Sequence, residues 1–235
     1  MTKQPFLFVG LDYERTSEVV GLAEELAEVD RKDFGFKLNL DFYINSALGG
    51  DLKPLSRIGR LHKPIFADFK MWNGRRTMIS IAENLFPSYI DYTNIYAHAG
   101  ETFLRSVVES VEGSRTRILG VTVLTHYKDS DCQRLYGRSL RDSVRMLSEI
   151  AFDGSCHGII LPGTTLDMVT DLPIQKLVPA VRPKWYGITG DNDQEQEIYV
   201  GDAVRNGADL LVCSSPIRKS KNRKEALIRT LDEMY

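Results

Sequence analysis

The chain has 235 residues, 43% of them hydrophobic and 26% charged, which excludes a disordered chain and leaves enough apolar material for a sizeable core. Thirty Lys and Arg stand against 32 Asp and Glu, a net charge of -2, so no overall basic field holds a polyanion and nucleic acid is excluded as the main partner. The three cysteines, Cys132, Cys156 and Cys213, have no C-x-x-C spacing, which argues against a disulfide framework or zinc cage and for a reducing, cytoplasmic setting. The apolar run after Pro5 is far short of the roughly 20 residues that span a bilayer, so no membrane association is expected.

In chain order, short apolar runs alternate with single helix-length amphipathic stretches. A first strand is predicted over residues 6–12. A helix follows over 16–29, where Val19, Val20, Ala23, Leu26 and Ala27 recur at helical spacing, with Thr16 or Ser17 as N-cap. Strands are expected at 34–38 and 64–70, a helix at 75–85, a strand at 92–98, a helix at 101–111, a strand at 117–125 and a helix at 139–151. The last strands fall at 157–161, 177–181 and 209–213, with helices over 198–205 and 224–234. Runs such as ILGVTVL, HGIIL and DLLVC are continuously apolar, as parallel strands covered on both faces must be. Eight strands in such alternation predict an α/β fold, one (β/α)8 TIM-barrel domain over residues 1–235, in preference to an open doubly wound sheet with its early glycine-rich turn. Neither G-x-G-x-x-G nor G-x-x-x-x-G-K-[ST] occurs.

Barrel active sites are assembled at the C-terminal ends of the strands, and here those ends are polar. Strand one ends in Asp12, strand two carries Lys37, and strand three ends in Asp68-Phe69-Lys70 with Asn73 beyond it. Strand four ends in His98, strand five in Thr125-His126, strand seven leads to Arg182, and strand eight to Ser214-Ser215. Isolated charges are costly to bury, so alternating Lys and Asp are expected to partner one another. Positions i and i+2 of a strand share a face, which sets the Asp68 carboxylate beside the Lys70 ammonium. A lysine held protonated between carboxylates is placed to give a proton to a carbanion.

These residues bear a family resemblance that runs over nearly the whole chain. Leu11-Asp12-Tyr13 is similar to the opening LD motif of the orotidine 5′-monophosphate decarboxylase suprafamily, and Lys37 falls where its second strand carries a lysine. Asp68-Phe69-Lys70-Met71-Trp72-Asn73 resembles its D-x-K-x-x-D signature, with Thr77 further along. Ala97-His98-Ala99-Gly100 resembles H-A-x-G, Val121 to Thr125 the T-x-L-T strand, and Pro179-Ala180-Val181-Arg182-Pro183 is similar to P-G-I-R-P. Asp193-Gln194 matches the D-Q of the phosphate loop, and residues 207–217 the closing G-A-D…G-R-P-I strand.

The resemblance implies a (β/α)8 homodimer with shared active sites that decarboxylates orotidine 5′-monophosphate, or a close nucleotide analogue, to UMP without metal or organic cofactor. It implies Lys70 as proton donor to the C6 carbanion, Asp68 against the departing carboxylate, Lys37 bridging the carboxylates and Asp12 at the ribose. Thr77 would come from the partner subunit, and Gln194 would reach the phosphate. His98, Thr125, His126, Arg182, Ser214 and Ser215 complete the expected substrate-binding set.

Four departures stand out. Asn73 replaces the last acidic residue of the signature, which removes a charge from the array. Ser214-Ser215 replaces the segment carrying the phosphate-clamp arginine. His126 replaces the serine after strand five, and Gly74-Arg75-Arg76 replaces the I-P-N stretch, placing two arginines at a helix start where one is a candidate phosphate contact. Residues 187–196, after Trp185-Tyr186, are expected to form a closing lid. The four histidines lack metal spacing, Cys156 and Cys213 read as buried hydrophobes, and the basic run 218–224 reads as a solvated turn leading into the last helix. Two other readings stand beside the decarboxylase: a Mg2+-dependent sugar-phosphate lyase of the same suprafamily, and a catalytically silent barrel that binds a nucleotide or protein partner.

Overall fold

The computed structural model describes residues 4–49, 53–85, 89–188 and 195–235. Seven barrel strands come first: β1 (Phe6–Gly10), β2 (Phe34–Asn39), β3 (Ile65–Met71), β4 (Tyr92–Tyr96), β5 (Arg117–Val121), β6 (Gly158–Ile160) and β7 (Gln175–Val178). Two short strands, β8 (Val181–Arg182) and β9 (Ile198–Tyr199), then precede the eighth barrel strand, β10 (Leu210–Cys213). The barrel closes in the order β1-β2-β3-β4-β5-β6-β7-β10 with β10 back on β1, all parallel, while β8 and β9 form a separate ribbon. The chain is therefore a (β/α)8 TIM barrel.

The helices are α1 (Thr16–Ala27), α2 (Leu40–Leu48), α3 (Lys53–Gly59), α4 (Arg75–Leu85), α5 (Glu101–Glu109), α6 (Asp129–Tyr136), α7 (Leu140–Asp153), α8 (Val200–Arg205), α9 (Ser215–Arg218) and α10 (Arg223–Asp232). Among the described residues no helix is long and apolar enough to cross a membrane.

Strand alternation divides the apolar residues into two cores. Phe8, Phe66, Leu119, Val121, Ile160, Leu177, Leu210 and Val212 fill the barrel interior. Leu7, Val9, Phe34, Phe36, Ile65 and Ala67 point the other way, into the layer between strands and helices. This two-sided burial is why the strands read as unbroken apolar runs. Phe8 and Phe66, both almost fully buried with centroids 5.6 Å apart, close the bottom of the barrel, each contributing about 1.5–3 kcal/mol of burial.

Boundaries differ from expectation mainly at the rim. β1, β4 and β5 stop at Gly10, Tyr96 and Val121, so Asp12, His98 and Thr125 lie past the strands. The run expected as one strand at 177–181 is split, because β7 begins at Gln175 and Ala180 has φ +59°, which turns the chain out of the barrel before Val181 and Arg182 pair with Ile198 and Tyr199. That ribbon also delays the predicted 198–205 helix to Val200. Arg15, not Thr16 or Ser17, is the N-cap of α1. The short helices α2, α3, α6 and α9 were not expected. The basic run is not a free surface: Arg223 pairs with Glu25 and Lys224 with Glu28 across to α1, and Arg218 lies 5.0 Å over the Tyr13 ring. His157 accepts the Ile118 N–H at 3.0 Å, holding β5 to the start of β6.

Candidate active site

Period-two alternation turns Lys37 and Asn39 of β2, Asp68 of β3 and Asn94 of β4 inward at the C-terminal end of the barrel, with Asp12 just past β1. The register sets Gly10 against Lys37 and Asn39 against Asp68, so the polar ends of three neighbouring strands meet. Lys37 Nζ donates to Asp12 Oδ1 at 2.9 Å and lies 3.6 Å from Asp68 Oδ2. Lys70 Nζ donates to both Asp68 oxygens, at 2.7 and 2.8 Å. The charges alternate in a chain, Asp12, Lys37, Asp68, Lys70. Side-chain exposure rises at its ends, from 9% at Lys37 and 10% at Asp68 to 32% at Asp12 and 39% at Lys70, so the lysine able to meet a ligand is Lys70.

Two asparagines, which the sequence reading missed, complete the network. Asn94 Nδ2 donates to Asp68 Oδ1 at 2.7 Å, and Asn39 Nδ2 to Asp12 Oδ1 at 2.9 Å, while Asn39 Oδ1 accepts from Lys37 Nζ. A signal for Asn39 was available, since it stands two residues past Lys37 on one strand face. Asn94 also accepts the backbone N–H of Lys70 at 2.6 Å. That bond replaces a ladder partner where the β3–β4 register shifts between Ala67 and Met71, and Lys70 itself has φ +46°. A non-glycine residue held in this left-handed region costs about 1–3 kcal/mol, and here the distortion re-aims the lysine from the strand pleat toward Asp68.

Burial opposes charge on each inner group, and pairing overrules it. Burial pulls Lys37 down, but Asp12 and Asp68 hold its pKa above the ordinary lysine value. Burial pushes Asp68 up, but Lys37 and Lys70 hold it below the ordinary carboxylate value; Lys37 and the Ser214 hydroxyl do the same for Asp12. Pairing therefore holds Asp12, Lys37 and Asp68 in their charged forms. Gly10 lets it close: a Cβ there would lie 2.8 Å from Ser214 Cβ and 2.9 Å from Asp12 Oδ2.

The array lines a cavity of about 460 Å³. Phe66, Val121, Ile160, Leu177 and Val212 line its depth, and Asp12, Lys37, Asp68, Lys70, Thr125, His126, Arg182, Ser214 and Ser215 give it polar walls. Nine of the expected site residues thus converge. Thr125 also ties down the end of the expected lid, its carbonyl accepting from Glu195 and Gln196 N–H at 3.1 and 3.0 Å. Arg182 is buried and ion-paired with Glu197.

Three expected residues do not line this cavity. Asn73 is exposed and its Oδ1 accepts the Gly74 N–H at 2.7 Å; Thr77 lies half-buried on α4. The His98 ring packs between Trp72 and Tyr96, at centroid distances of 3.8 and 4.9 Å, with neither nitrogen hydrogen-bonded. Arg75, a candidate phosphate contact by sequence, instead donates to Ser106 of α5. Gln194 lies outside the described residues. Burial pushes the Cys156 and Cys213 thiols up to about 12, so neither is a nucleophile at neutral pH.

Known proteins resemble the chain along nearly its whole length. An orotidine 5′-phosphate decarboxylase from Campylobacter concisus is 27% identical over 233 residues, covering 97% of this chain and 99% of its own; one from Caulobacter sp. strain K31 is 29% identical over 240 residues, covering 100% and 99%. In fold, the crystal structure of orotidine 5′-phosphate decarboxylase from Lactobacillus acidophilus superposes with a TM-score of 0.80 at 19% identity, covering 98% of this chain and 99% of that one. The family description "Orotidine 5'-phosphate decarboxylase / HUMPS family" matches residues 5–229. With its barrel, its alternating rim charges and a match along nearly its whole length, the chain belongs to the orotidine 5′-phosphate decarboxylase / HUMPS family.

Proposed function

We propose that this protein is a cofactor-independent carboxy-lyase that converts orotidine 5′-monophosphate, or a close nucleotide analogue, to UMP, with residues 1–235 acting as one domain. The observation that carries the reading is the alternating Asp12, Lys37, Asp68, Lys70 array on the wall of a cavity whose depth is apolar. Asp68, held ionised, sets a fixed negative charge beside the substrate carboxylate and favours its departure. As CO2 leaves, the electron pair stays on the ring carbon, and Lys70 gives that carbon a proton. The ammonium, already fixed beside Asp68, also stabilises the developing anion. Lys37 keeps both carboxylates ionised and in place, and Asp12 accepts from a ribose hydroxyl. Thr125, His126, Arg182, Ser214 and Ser215 bind the rest of the nucleotide, together with Gln194.

The enzyme acts as a cytoplasmic homodimer in this proposal. Supporting this, Leu40, Ile44 and Leu48 are 45, 46 and 83% exposed on one face of α2, and Trp72 is 65% exposed nearby in the chain after β3. An apolar stripe of this kind suits a second copy better than water. Asn73 and Thr77, which do not line their own chain's cavity, then reach the partner's. His98 serves to brace Trp72 at that junction. The three buried free thiols fit a reducing compartment. Ile44→Asp should shift the protein from dimer to monomer in sedimentation velocity; a wild-type monomer would reject the dimer.

The deciding test is the purified protein with orotidine 5′-monophosphate and EDTA. A fall in substrate absorbance, with UMP appearing in equal amount, is the expected result. No turnover in EDTA, with Mg2+-dependent turnover of a sugar phosphate, would reject the decarboxylase in favour of the other branch of the family.

A further inference from the structure

The cavity wall carries one more buried cation besides those of the array, Arg182, and its charge is already paired. Arg182 lines the cavity wall and is 5% exposed. Its guanidinium is already occupied, because Glu197 forms an ion pair with Nη2 and both side chains are buried. The N–H is not aimed at the carboxylate, so neither Glu197 oxygen receives a hydrogen bond. The contact is held by charge and by the backbone: Val181 pairs with Ile198 and Arg182 with Tyr199, which leaves Glu197 little freedom to swing away while the ribbon is intact.

Charges elsewhere on the described wall cancel in sequence, Asp12 and Asp68 against Lys37 and Lys70. Arg182 would be the cation available to a distal anion, and Glu197 neutralises it. A phosphate dianion brought to this guanidinium must share it with a buried carboxylate, and like charges close together in a site shielded from water repel strongly. Near Arg182 the wall otherwise offers the hydroxyls of Ser214 and Ser215, which suit a sugar as well as a phosphate.

We propose that Glu197 is a specificity-determining residue that lowers the value of a substrate's distal phosphate by neutralising Arg182, so that ligands are recognised chiefly through their ring carboxylate and sugar. This inference rests on the cavity being a nucleotide site. The test is calorimetric titration of the full-length protein, wild type and Glu197→Gln, with UMP and with uridine. UMP should bind the wild type less than about a hundredfold more tightly than uridine. Glu197→Gln should tighten UMP by about ten- to a hundredfold, as expected for removing one unit charge near an ion at an effective dielectric constant of about 20, and leave uridine unchanged.

Unchanged or weaker UMP binding in a folded Glu197→Gln protein overturns the inference, since a carboxylate that merely orients Arg182 would give that loss. If Glu197→Gln does not fold, the wild-type ratio decides alone, and a phosphate advantage above about a hundredfold overturns it. Decarboxylation is assayed separately on the same preparations. Turnover without the gain in UMP affinity rejects the role of Glu197 alone, whereas the gain without turnover rejects the proposed reaction and leaves that role standing.

Discussion

The two halves of the cavity rim are built on opposite principles. On the β1–β3 side, four charges alternate, each carboxylate touches a lysine, and two asparagines take up further hydrogen-bonding positions. On the β7–β10 side, two serines stand beside an arginine neutralised by a buried glutamate whose oxygens have no hydrogen bond. A fully paired network is preorganised, because its charges are fixed before ligand arrives and need no reorganisation as the reaction proceeds. A self-neutralised end holds no such field. Under the proposed function the contrast separates reaction from recognition: the chemistry falls to the first half, and substrate choice to the second.

Removing the proton donor breaks the charged half most severely. Lys70→Ala should lower decarboxylation by about four powers of ten or more, with the fold retained, as for loss of an acid that also stabilises the developing anion; residual turnover within tenfold of wild type in the absorbance assay would exclude Lys70 as donor. Lys37→Met, at the centre of the chain, should cost about 3–5 kcal/mol of stability by leaving carboxylates buried without their partner, read as a lower midpoint in urea unfolding.

The same pair of proteins tests the pH dependence. Asp68 is depressed in the folded state, so its contribution is present above the unfolded value near 3.9 and is lost as pH falls through the lower folded value. Lys37 is raised, so its contribution is present below about 10.4 and is lost as pH rises through the higher folded value. The wild-type advantage over Lys37→Met should therefore be level between about pH 5 and 10 and shrink on both sides. An advantage that grows toward acid would contradict the pairing.

Asn73→Asp sharpens the contrast by adding a carboxylate at the proposed dimer junction. Turnover should rise by about one to three powers of ten, the worth of one charged partner in a dry site, with KM little changed; a flat kcat would show that Asn73 does not reach the partner's array. The smallest effect falls at the seam between the halves. Gly10→Ala forces a methyl against Ser214 and Asp12 and should cost about 1–3 kcal/mol, a shift of a few degrees in thermal unfolding.

The contrast also governs what could be read in advance. Helix α4 begins and ends where its apolar spacing places it, and all eight barrel strands lie within a few residues of their predicted runs. Strands covered on both faces must be apolar throughout, and that is a property of the chain itself. Asp12, Lys37, Asp68 and Lys70 were legible for a related reason, since charges at the ends of buried strands must partner one another. Asn94 was not legible, because an amide inside a strand names no partner until β3 and β4 are set side by side with a shifted register. His98 misleads in the sequence, since its place at a strand end points to the cavity whereas its neighbours are Trp72 and Tyr96.

By itself, then, the sequence determined the barrel and the charges at its mouth, because periodicity and the cost of burying an unpaired ion act along the chain or between strand ends whose adjacency the fold class already implies. Only the tertiary structure decided that Ala180 turns the chain out of the barrel, that the ribbon brings Glu197 onto Arg182, and that Lys70 adopts a left-handed backbone. Each depends on segments brought together by closure of the barrel, where packing and Coulomb energy between residues distant in sequence outweigh local preference.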